Sequence, residues 1–150
     1  MRKCRSEKGA ALLEAAITIP ILLLIAIGIF EFGRAFQTWQ VLTNAAREGA
    51  RVAVLPDPTE GNAEQRVLDY LDAGALNYDP AAIDIVVNRS DTITVNGAPV
   101  SASRVTVDYP FEFMVIGGVA KMISPQSELG TALTMRAEAV MRNENSSTAP

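Results

Sequence analysis

Histidine is absent from this chain and cysteine occurs once, at Cys4. Without an imidazole there is no Ser-His-Asp triad, no Cys-His pair and no His-ligated metal site. One thiol makes neither a disulfide framework nor a multi-cysteine metal centre. Charge is scarce as well: 20% of residues are Asp, Glu, Lys or Arg, against roughly 25% in soluble domains. The formal net charge is −4, the wrong sign for a surface that holds nucleic acid. Gly117-Gly118 has no phosphate-loop context, and Asp57, Glu60, Glu64, Asp69 and Asp72 lack calcium-loop spacing. No catalytic residue, metal ligand or cofactor site can be nominated. The expectation is a chain that is not an enzyme, with no cofactor, nucleic acid or small-molecule substrate among its partners.

What is present is unevenly spread. Residues 1–9, MRKCRSEKG, carry Arg2, Lys3, Arg5 and Lys8 against Glu7 alone. Residues 10–30, AALLEAAITIPILLLIAIGIF, hold one charge, Glu14. The remainder has nine basic and fifteen acidic residues. As a helix the apolar run rises about 30 Å, the thickness of a hydrocarbon core. A buried core helix should be amphipathic, whereas Ile21 to Ile27 is apolar on every face. A cleaved secretory signal should have a shorter apolar region, about 7–15 residues, without an acid. The basic end precedes the run and the acidic part follows it, so the positive-inside rule keeps the N-terminus in the cytoplasm and exports the rest. Phe30, Phe32, Phe36 and Trp39 fall where an aromatic belt would sit.

No proline interrupts Glu31 to Val54, and Phe32, Phe36, Trp39, Ala46 and Ala50 or Ala53 recur at helical steps. The pattern predicts one long helix over 10–54, membrane-spanning over 10–30, kinked at Pro20 and ended by Pro56 and Pro58. Glu31, Arg34, Arg47, Glu48 and Arg51 read as a solvated face. Residues 55–142 read as a small exported α+β domain. Asn62 caps a helix to about Ala73, stopped by Gly74. Strands follow at Ile83–Val87, Thr92–Val95 and Arg104–Tyr109, with a turn at Asn96-Gly97 and a stop at Pro110. Residues 111–125 are apolar around a Gly-Gly break and fit a loop with a short helix or a surface for a partner. Thr131 to Arg142 alternates as the last strand, and 143–150 read as a disordered tail. The fold class is α+β, a long N-terminal transmembrane helix leading to one further helix and an antiparallel sheet of three or four strands.

Lys8-Gly9-Ala10-Ala11-Leu12-Leu13-Glu14 is the informative motif. A carboxylate in a bilayer helix costs several kcal/mol unless neutralised. Glu14 therefore either snorkels to the nearby headgroups or meets a partner charge. Cleavage between Gly9 and Ala10 would supply one, because the new ammonium of Ala10 could pair with Glu14 of an adjacent subunit and set their axial register.

Glycine, four residues, glutamate and a long apolar stretch resemble type IV prepilin signals. Gly9 to Val54 is similar to the N-terminal block of the TadE-like pseudopilins of tight-adherence (Flp) pili. The likeness rests on Pro20 within the apolar span, Glu31-Phe32-Gly33, and Ala45-Ala46-Arg47-Glu48-Gly49-Ala50-Arg51. Ala137 to Arg142 is similar to the closing strand of family members. The resemblance implies a single-pass inner-membrane protein of a bacterium, cleaved by a prepilin peptidase, whose partners are other pilins or pseudopilins met through the N-terminal helix. The alternative is an uncleaved membrane-anchored periplasmic scaffold or binding module.

Overall fold

A computed structural model describes residues 4–55, 60–124, 126 and 131–143. The prolines expected to end the long helix, the first three leader residues and the tail from 144 onward lie outside the described residues. The order of elements is α1 (Cys4–Ala53), α2 (Glu60–Ala73), β1 (Asp84–Val95), β2 (Ala98–Phe111), α3 (Val115–Ile123) and β3 (Leu133–Arg142). The three strands form one antiparallel sheet in the order β1-β2-β3. The architecture is α+β, as the sequence predicts.

The chain divides into two compact units. One joins α1 up to Arg34 with Phe113–Thr131; the other joins Ala35–Glu112 with the segment from Ala132.

In the first unit α1 begins at Cys4, so the basic leader is already helical from Cys4 to Gly9. The helix runs unbroken through Pro20. Among the described residues, none of its most apolar 18-residue window is buried. Residues 113–123 contain α3, which includes Gly117-Gly118, so the short-helix reading of this segment holds.

The core of the second unit lies between the C-terminal part of α1, α2 and one face of the sheet. Leu42, Ala45, Ala46, Ala50 and Ala53 of α1, Ala63, Val67 and Leu71 of α2, and Val105, Val107, Tyr109 and Phe111 of β2 are buried. The opposite face of the sheet is ionic. Arg136 on β3 donates twice to Asp108, directly across on β2 (2.7 and 2.6 Å). Arg104 bridges Asp91 (2.6 Å) and Glu138. These arginines hold Asp108 and Asp91 below the usual carboxylate range. One apolar and one charged face is what alternation along each strand produces in a sheet covered on a single side.

Several sequence expectations need correction. The runs Ile83–Val87 and Thr92–Val95 are halves of one strand. Between the pairs Asn88↔Arg104 and Asp91↔Ala102, β1 has Arg89 and Ser90 where β2 has only Ser103. This bulge carries the strand across a polar break that reads as a loop. Asn88 supports it by accepting the Ser90 N–H at 3.0 Å. Pro110 does not stop β2. It lies past Asp108, the last β2 residue paired with β1, so on that side there is no ladder for a missing N–H to interrupt. Asn62 is inside α2 and not its cap. Asn143, assigned to the tail, is tied to the sheet: its N–H donates to Ser101 O (3.0 Å), its Nδ2 to Arg89 O (3.2 Å), and its Oδ1 accepts from Ser103 Oγ (2.7 Å). The Asn96-Gly97 turn is as expected, with both residues in the left-handed region (φ 53° and 83°) between Val95 and its partner Ala98.

The end of α2 is also built differently. Leu76 N–H donates to Leu71 O and Ala75 N–H to Asp72 O, a Schellman closure. Its left-handed residue is Ala75 (φ 52°), not the preceding glycine. Gly74 serves close approach instead: a Cβ there would lie 2.5 Å from Val41 Cγ1 on α1.

Candidate functional site

The residues singled out by the sequence lie along the first half of α1. Gly9, Ala10 and Glu14 are all exposed on it, as is Pro20. A Cβ added at Gly9 would meet nothing within 4 Å. The scissile bond expected between Gly9 and Ala10 is helical in the intact chain, so cleavage there requires unwinding the first turns of α1. Ala10 and Glu14 are four residues apart and share one face of the helix.

Beyond the apolar run, the helix divides its surface in a way the sequence pattern did not separate. Phe32, Phe36 and Trp39 are exposed. The buried face is Glu31, Thr38, Leu42, Ala45, Ala46, Ala50 and Ala53, centred roughly a quarter-turn from the aromatics at 3.6 residues per turn. The large side chains are therefore not the ones in the core. Small ones are, and Gly49 shows why. A Cβ at that position would stand 2.5 Å from Val67 Cγ2 and 3.3 Å from Val105 Cγ1. The Ala-Ala-Arg-Glu-Gly-Ala-Arg stretch thus places Ala45, Ala46, Gly49 and Ala50 where α2 and the sheet come closest. Glu48, half-buried at the edge of this contact, accepts from Arg51 (2.7 and 3.0 Å) and from Arg66 of α2 (2.9 and 3.0 Å). Those two guanidiniums hold its pKa near 2. Arg47 remains exposed.

Glu31 is the correction with most bearing on function. Expected on a solvated face, its side chain is 1% exposed. Its Oε1 accepts the backbone N–H of Val115 (2.5 Å) and, more distantly, of Ile116 (3.4 Å). Its Oε2 accepts from Arg34 Nη1 at 2.9 Å. Met114, at the N-cap of α3, makes no side-chain capping bond. A helix start lacking its own Ser, Thr, Asp or Asn leaves N–H groups unsatisfied, and Glu31 caps α3 from a different helix. A carboxylate also complements the positive end of the helix dipole. The missed signal was Phe113-Met114 before an apolar helical run: a helix without a capping residue requires an acceptor from elsewhere.

Neither the curated proteins nor the solved structures contain a match to this chain. A family model does match, over residues 9–51, and its description is TadE-like protein. The matched stretch starts at Gly9, takes in Glu14, Pro20, Glu31 and Gly49, and ends two residues short of the end of α1. The match over residues 9–51 is to the TadE-like family, and it falls within the Gly9–Val54 stretch in which the sequence resembles the same family.

Proposed function

We propose that the chain is a pseudopilin subunit that serves the assembly of a tight-adherence pilus or a related secretion filament. The observation that carries this reading is the family match beginning at Gly9, the residue after which the leader would be cut. The apolar stretch of α1, whose most apolar 18-residue window has no residue buried among the described residues, supports membrane anchoring. The charge difference across it supports a cytoplasmic N-terminus, an inner-membrane span over 10–30 and a periplasmic sheet domain. A prepilin peptidase releases residues 1–9, and Cys4 leaves with them. In the mature subunit the ammonium of Ala10 pairs with Glu14 of a neighbouring pilin-like subunit. The pairing fixes register as it neutralises both charges.

Intact-mass measurement on protein from native membranes tests the cut: the mature chain begins at Ala10. A chain still beginning at Met1 refutes processing and leaves an uncleaved membrane-anchored scaffold as the function. Glu14→Gln keeps shape and removes charge. It should insert normally, lose its leader normally, and fail to co-purify with other pilin-like subunits. Wild-type filament levels in this variant would reduce Glu14 to an edge residue that snorkels.

A further inference from the structure

The outer face of α3 is left uncovered by the described residues. Of its nine residues, VIGGVAKMI, only Lys121 is charged. Gly117 and Ala120 are turned inward and buried, while Met122 is 88% exposed, Met114 just before the helix is 65% exposed, and Val119 is exposed as well. A helix apolar on its outer as well as its inner side belongs in an apolar medium. Its location names that medium. Glu31 follows the last residue of the apolar run directly, and its carboxylate holds the Val115 amide at 2.5 Å. The first turn of α3 is therefore pinned at the level where α1 leaves the bilayer. Ile27 and Gly28, one turn earlier, are half-buried where the residues on either side of them are exposed.

We propose that α3 is an interfacial helix whose Met114, Val119 and Met122 enter the headgroup–acyl boundary of the same membrane that α1 crosses. The occupant of this face is lipid. The face is continuous with the span through Glu31, it presents flexible apolar side chains, and its one charge, the exposed Lys121, has the sign that anionic headgroups attract. The protein would then hold the membrane at two points, a span and a surface helix, with Glu31 as the joint between them. This inference rests on the membrane-anchored reading of α1 and is independent of leader cleavage.

The test uses the full chain in vesicles of phosphatidylcholine and phosphatidylglycerol at about 3:1, whose anionic lipid attracts basic side chains. Nitroxide labels are placed singly in a Cys4→Ser background through Met114→Cys and Met122→Cys, with Leu23→Cys as the span reference and Asp69→Cys as the aqueous reference. Collision rates with oxygen, which enriches in lipid, and with a water-soluble nickel chelate are compared. The expected result is an oxygen-to-nickel ratio at both α3 positions severalfold above that of the Asp69 site and below that of the Leu23 site. Ratios equal to that of the Asp69 site, with the Leu23 site still in lipid, overturn the interfacial helix and leave the span intact. Labels at 114 and 122 shielded from both reagents, with shielding that fades as protein is diluted into lipid, also overturn it and identify a second copy as the occupant. A Leu23 label open to nickel overturns the span and the interfacial helix together.

Discussion

Removing the Glu31 carboxylate should loosen α3 without unfolding the sheet domain. In Glu31→Ala the Val115 N–H loses a charge-assisted acceptor at 2.5 Å. Ile116, at 3.4 Å, loses little. A hydrogen bond to a charged group contributes about 1.5–3 kcal/mol, and loss of the favourable charge at a helix N-terminus adds about 0.3–1 kcal/mol. The Arg34 bridge adds less, since that guanidinium is 31% exposed and screened. Taking about 2–3 kcal/mol for the docking of α3, opening of the helix becomes roughly 30–150-fold more frequent at 1.4 kcal/mol per decade.

Hydrogen exchange of the full chain in detergent micelles reads this directly. Amides in Val115–Ile123 should lose protection by that factor, while those of β2 and β3 keep theirs. Glu31→Gln retains an acceptor oxygen without the charge and should fall between wild type and Glu31→Ala. Unchanged exchange in α3 for Glu31→Ala would refute the view that this carboxylate is its cap. Equal loss in α3 and β2 would show a global effect and refute the local accounting as well.

Other consequences follow from the second unit. Gly49→Ala gains helix propensity, about 1 kcal/mol, but drives a Cβ against Val67 and Val105; with overpacking costing about 1–3 kcal/mol, the net is a lower Tm by calorimetry, and a raised Tm would contradict the close approach. Gly74→Ala should lower Tm by overpacking on Val41, whereas Ala75→Gly, which relieves a left-handed alanine, should raise stability by roughly 0.5–1 kcal/mol; chemical denaturation of the pair gives opposite signs. Because Arg51 and Arg66 pull Glu48 from its usual 4.5 to about 2, its stabilising contribution is whole above pH 4.5 and declines as pH falls towards 2. Glu48→Gln should therefore show a flatter fall of Tm with acid than the parent chain, and high salt should shrink the difference, since both arginines are well exposed.

How much of this could be read from the sequence depended on the range of the forces involved. The apolar run of α1, the alternation of β3 and the Asn96-Gly97 turn are set by neighbours in the chain, and they stand where composition and periodicity put them. The split of β1 into two strands was an error of a different kind. Asn88-Arg89-Ser90 has loop chemistry, and only pairing with β2 converts it into a bulge, with Asn143 holding the Arg89 carbonyl from 54 residues away. Glu31 is the extreme case. On a helical wheel it is one more charge in a polar stretch, and its meaning is supplied by amides 84 and 85 residues later.

The same distinction separates the parts of the matched segment. Periodicity grouped Phe32, Phe36 and Trp39 with Ala46 and Ala50 as one apolar stripe because it ranks residues by hydrophobicity. Close packing ranks them by how near two backbones must come. Where α1 meets α2 and the sheet, Gly49 leaves no room even for a methyl group, and alanines fill the positions around it. The aromatics, displaced from that contact, are exposed. Thus Ala45, Ala46, Gly49 and Ala50 of the matched segment are explained by packing within this chain, and Glu48 and Arg51 by their ion pair. Gly9, Ala10, Glu14 and the aromatic positions make no such contribution to the core, so it is to that earlier stretch, and not to Ala45–Arg51, that variants aimed at assembly should be directed.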